Sequence, residues 1–164
     1  MNENEVADAM DRLAERNRQR NAEARVNVWT PENIVREWEA HTMRCLLVST
    51  PMSLNGYVYV PENHPWYRVH YSECPNECGE QWCAHSPESQ IEVHGGITFS
   101  HLGENGWVFG FDTAHAGDFI VTPVGIHGGH LWEEDEVATE TEQMARQLAA
   151  LRHDIGHDKR GVRP

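Results

Sequence analysis

No run of apolar residues in this 164-residue chain approaches the roughly 18–20 that a bilayer-spanning helix requires. Its first 25 residues are charged throughout and contain no apolar signal-peptide core. Both absences predict a soluble, cytoplasmic protein with no membrane partner. Basic residues are scarce: 13 Lys and Arg stand against 26 Asp and Glu, a formal net charge of −13 with neutral histidines. Nucleic-acid backbones need a basic face, so broad DNA or RNA binding is not expected. There is no fixed-period repeat and no CxxC pair. The GxSxG elbow, the HExxH helix, the P-loop, the Rossmann fingerprint and the HxE…PCxxC signature of zinc deaminases are all missing.

Eleven histidines and six tryptophans are present, against a hydrophobic fraction of 39%, which is enough for one modest core. Residues 1–28 read as a charged helical arm, with Val6, Met10 and Leu13 as a thin apolar stripe. Residues 29–152 read as a single domain and 153–164 as a flexible tail. Thr30-Pro31-Glu32 predicts a helix start, with Ile34, Val35 and Trp38 on its apolar face. Arg44–Val48 and Tyr57–Val60 predict a hairpin. Pro61 to Pro87 reads as a long loop. Ile91–Ser100 and Trp107–Asp112 predict two more strands joined by a turn at Gly103–Gly106, and Thr113–His130 reads as irregular. Glu133–Leu151 predicts an amphipathic helix with Val137, Thr141, Met144, Leu148 and Leu151 on one face and acids at its start. The expected class is therefore α+β: a small, mostly antiparallel sheet flanked by N-terminal and C-terminal helices.

Two clusters carry chemistry. Cys74, Cys78, Cys83 and His85 offer three sulfurs and an imidazole within twelve positions, a ligand set suited to a structural zinc. Free thiols in a loop are the alternative, and a disulfide ranks lower for a cytoplasmic chain. The second cluster is His94, Asp112, His115 and Asp118. His94 precedes Gly95-Gly96 inside a strand pattern, where glycines mark a bulge or a ligand's close approach. Asp112 ends a hydrophobic strand, and His115 and Asp118 follow at intervals of three. If the strands pair, two imidazoles and two carboxylates converge. That set suits a second divalent metal with an open position, or an acid/base pair oriented by a carboxylate. Each residue also has a structural reading: Asp112 as a turn cap, Asp118 as a helix cap, His94 as a hydrogen-bonded core histidine. His127 and His130, in His127-Gly128-Gly129-His130, are a pair of possible ligands, with a solvated loop as the better reading.

Gly56-Tyr57-Val58, Pro61 and His64-Pro65-Trp66-Tyr67 are followed by His94-Gly95-Gly96-Ile97-Thr98 and then by Gly110-Phe111-Asp112-Thr113-Ala114-His115-Ala116-Gly117-Asp118. In this series the chain resembles a family of small proteins of actinobacterial phages and prophages. The family shares His-Gly-Gly-[Leu/Ile]-Thr and Gly-Phe-Asp-x-x-His-x-Gly-Asp motifs. The resemblance spans roughly Gly56 to Asp118 and, weakly, the last helix; the cysteine cluster stands outside it. It implies a phage origin, a host-cell cytoplasm as the setting, and the histidine and aspartate positions, His64 included, as candidate site residues. It implies no reaction.

The expected function is a phage-encoded metal-dependent hydrolase, in its finer form a phosphoesterase acting on a nucleotide-like ligand. His94, Asp112, His115 and Asp118 serve as ligands or acid/base groups. The alternative is a non-enzymatic phage protein that binds a small molecule or a host protein to counter host machinery.

Overall fold

The computed structural model describes residues 30–75 and 84–157. The chain divides into two units, Met1–Ile34 and Val35–Pro164. The helical arm expected in the first unit lies outside the described residues, as does residue 158 onward.

In the first unit a single 3-10 turn, Pro31–Asn33, follows Thr30. The helix expected to start there does not continue. The chain enters strand β1, Ile34–Ala40, instead. Ile34 and Val35 are β-branched, and Glu37-Trp38-Glu39-Ala40 alternates polar and apolar, a period-2 pattern that suits a strand. His41 and Thr42, at φ 53° and 64°, then turn the chain back. Two consecutive left-handed residues make the tight turn that right-twisted strands favour.

Strands β2 (Met43–Ser49) and β3 (Leu54–Val60) form the expected hairpin, with Cys45 opposite Val58 and Leu47 opposite Gly56. Thr50 closes its turn: the Thr50 hydroxyl accepts the N–H of Ser53 at 3.0 Å. After the long loop and one turn of helix, α1 (Pro87–Gln90), come β4 (Phe99–Gly103) and β5 (Gly106–Phe111). β5 inserts between β3 and β4, so the antiparallel sheet runs β1-β2-β3-β5-β4. Of the strand expected over Ile91–Ser100, only the end is extended. Val93 to Gly96 is a turn, closed by the Gly96 N–H on Val93 O at 2.9 Å. The stretch expected to be irregular contains a two-stranded hairpin, β6 (Ile120–Thr122) with β7 (Gly125–His127).

The last helix, α2, runs Glu134–His157, past Leu151 and into what the sequence suggested was tail. Val137, Ala138, Thr141, Met144, Ala145 and Leu148 are buried, the three-and-four spacing of one helix face. This face packs on β2 and β3 over Met43, Cys45, Leu47, Val58 and Val60. A methyl group on Gly56 would collide with Thr141 Oγ1 and the Phe111 ring, so the bare glycine lets the helix sit close. Trp38 ties β1 to α2 through a 3.1 Å hydrogen bond from Nε1 to Glu142. The class is α+β, as expected, with a five-stranded antiparallel sheet under a C-terminal helix.

Candidate functional site

Three segments meet beside the end of β5. The first is the Val93–Gly96 turn. Gly95 is its third residue and has φ 65°, a conformation open to glycine at little cost. Its missing side chain matters a second time, because any Cβ there would run into the His115 ring. The second segment is the loop leaving β5. Asp112 accepts the Thr98 hydroxyl at 2.9 Å on Oδ2 and the Ala114 N–H at 3.0 Å on Oδ1. These bonds cap the strand end and aim the loop. The loop closes where the Asp118 N–H meets His115 O at 3.0 Å. The third segment is the approach to α2, joined to the loop by bonds of 2.8 Å from Phe119 N–H to His130 O and from His130 N–H to Gly117 O.

Asp118 is the hub, and it is only 3% exposed. Its Oδ2 lies 2.8 Å from His94 Nε2 and accepts the His115 N–H at 2.8 Å; its Oδ1 accepts Trp132 Nε1–H at 2.8 Å. Burial pushes the Asp118 carboxyl up. The hydrogen bonds from His94, Trp132 and the His115 backbone more than offset this and hold it below its ordinary value. Asp118 is therefore an ionised carboxylate at neutral pH. Trp132 also packs on the His94 ring, with centroids 4.4 Å apart. Glu140, from α2, accepts the His94 backbone N–H at 2.9 Å.

The His115 ring sits edge-on to His94, with centroids 5.3 Å apart. Its Nδ1 lies 3.7 Å from both Asp118 Oδ2 and Asp112 Oδ1, too far for a hydrogen bond. That nitrogen is buried and has no hydrogen-bond partner among the described residues. One ligand atom each from His94, His115 and Asp118 falls within 4.8 Å of the others, so the group could hold a metal ion.

His115 and Asp118 also form part of the wall of a groove of about 460 Å³. The β6–β7 hairpin supplies part of its lining. Ile120 faces His127 across that hairpin, and with Thr122 they line the groove.

Of the four residues expected to converge, three do. Asp112 stands beside them and has the turn-capping role that was its structural alternative. His94 comes from a turn before β4, not from a strand beside β5. His64 is not at the site. It is 4% exposed; its Nε2 donates to Leu148 O at 2.9 Å, and its Nδ1 accepts the Trp66 N–H at 3.0 Å. The cysteine cluster differs as well. Cys74 is disulfide-bonded, and a sulfur in that bond is not the thiolate that zinc requires. Cys78 and Cys83 lie outside the described residues, and among the described residues His85 joins no metal-holding group.

Trp132 and Glu140 were not legible as site residues, and His127 was legible only as a possible ligand in a loop. Trp132 follows His127-Gly128-Gly129-His130, read as a solvated loop, yet His130 is bonded to Glu136 at 3.1 Å and its ring is 5.0 Å from that of Trp132. A tryptophan directly before an acidic helix start was the one available signal.

No protein-family model matches the chain, and no curated protein or solved structure matches it.

Proposed function

We propose that this protein is a metal-dependent hydrolase whose centre is His94, His115 and Asp118. The observation that carries the reading is His115 Nδ1, buried and unpaired within ligand distance of the same carboxylate that holds His94. An unpaired buried nitrogen costs roughly 1–3 kcal/mol, and a divalent cation of the zinc class would remove that cost. When bound, such an ion polarises a substrate oxygen and acidifies water. The chain's own groups do the rest. Trp132 and the His115 N–H fix the Asp118 carboxylate, Asp112 holds the loop that carries His115, and Glu140 anchors the turn that carries His94. His127 lines the same groove as His115 and Asp118. The resemblance to phage proteins is consistent with a phage-encoded enzyme acting inside the host.

Zinc titration of chelator-free protein, read by calorimetry and elemental analysis, tests this. H115A should take up one equivalent less than the parent protein, and C74S should keep that equivalent. Equal uptake by the parent and H115A overturns the metal centre.

The second reading, a non-enzymatic protein that binds a host partner, is favoured by one feature. The outer side of the β6–β7 hairpin exposes Val121 and Ile126, with Val124 at its tip. Metal uptake without turnover of any ester, amide or phosphate would favour it.

A further inference from the structure

We infer that the groove takes an uncharged acyl compound, an ester or amide with an apolar acyl arm, rather than the phosphate ester the sequence suggested; this rests on the hydrolase reading above. Among the described residues lining the groove there is no lysine or arginine. A phosphate ester brings one or two negative charges, and proteins meet these with guanidinium or ammonium groups. Here the fixed charge at the groove wall is the Asp118 carboxylate, held ionised by its three donors. It repels an anion and offsets part of the charge of any bound cation. A neutral carbonyl needs only one electrophile at its oxygen and an apolar wall for the rest of the molecule.

The groove has such a wall. Met52, Ala114, Ala116 and Ile120 line it, and Gly117 and Gly128 leave it wide. The β6–β7 register puts Ile120 and Thr122 on the groove side, while the Val121–Ile126 pair points away. Met52 and Ile120 thus line the same groove as His115 and Asp118, and offer an acyl chain its apolar contacts.

The reaction is hydrolysis. The oxygen of one water bonds to the acyl carbon, and the bond from that carbon to the alcohol oxygen or amine nitrogen breaks. One water proton passes to the leaving alcohol or amine; the other stays with the carboxylic acid, which ionises at neutral pH.

The test uses the full chain, with and without zinc. Straight-chain primary amides of two to eight carbons and alkyl phosphates of matched length are titrated in, with NMR observation of the Met52 and Ile120 methyls and the His127 ring. Amide affinity should rise about fourfold per added methylene over the first few. Each matched phosphate should bind at least tenfold more weakly. M52D should flatten the chain-length dependence. With zinc loaded, p-nitrophenyl hexanoate should turn over faster than the p-nitrophenyl ester of hexyl phosphate, and M52D should slow the former. Phosphates binding as tightly as amides, or an amide series that does not depend on chain length, overturns the acyl assignment. The titrations are readable without metal, so a protein that takes up no zinc overturns the hydrolase reading separately.

Discussion

Trp132 and Asp118 meet through a 2.8 Å hydrogen bond from the indole Nε1 to carboxylate Oδ1, on the side of the carboxylate away from His94 and the His115 N–H. An acceptor-only group with three donors around it is hard to replace. D118N presents an amide N–H₂ to at least one donor, so it should lose about 1–3 kcal/mol in urea unfolding and lose zinc uptake at the site. W132F keeps a ring against His94 and removes one donor. It should lose about 1 kcal/mol and keep measurable zinc binding. Parent-like stability of D118N would mean that the carboxylate is not the hub.

The same carboxylate sets a pH dependence. Its pKa is lowered in the folded state, so its stabilisation is complete above the unfolded value of about 3.9 and is lost as pH falls through the lower folded value. Thermal melts of metal-free parent and D118N should differ most near neutral pH and converge below about pH 4. A gap that stays constant to pH 2 contradicts this.

Gly95 and Gly96 should behave differently when changed to alanine. Both have positive φ, at 65° and 78°, so each substitution carries backbone strain of about 1 kcal/mol. A Cβ at Gly95 also strikes the His115 ring, whereas one at Gly96 meets nothing within 4 Å. G95A should weaken zinc binding at least tenfold and shift the His115 NMR signals, and G96A should leave both near parent values. Equal effects on binding would separate His115 from the metal centre.

His64 should matter to stability and not to the site. H64A leaves the Trp66 N–H without its His64 acceptor and opens a cavity under Leu148, and should cost about 1–3 kcal/mol. Zinc affinity of the folded fraction should not move. A loss of zinc with no loss of stability would return His64 to the site.

Cys45 is fully buried between β-strand neighbours, and desolvation pushes its thiol up to about 12. Mass mapping should find it unmodified by iodoacetamide at pH 8 in native protein and alkylated in urea. Rapid native alkylation would mean that the sheet opens readily at β2.

The sequence by itself determined the elements whose pattern is local. The β2–β3 hairpin followed from apolar runs around turn residues, and the face of α2 followed from the spacing of Val137, Thr141, Met144 and Leu148. Asp118, His115 and His94 were marked by residue type beside glycines. What lay outside local pattern went astray. Thr30-Pro31-Glu32 has the local chemistry of a helix start, yet pairing with β2 draws Ile34–Ala40 into the sheet, because burying Trp38 against α2 and closing the His41–Thr42 turn outweigh a cap. His64 and His94 look alike in sequence, and only packing sends one under Leu148 and the other to Asp118. The roles of Trp132, Glu140 and His127 belong wholly to tertiary structure. They are 38, 46 and 33 positions from His94, and no periodicity links residues at such separations. Their convergence is decided by α2 docking on the sheet, with Trp132, just before it, on the loop after β5 and Glu140 on the turn that carries His94, and by the β6–β7 hairpin, which puts His127 in the groove lining.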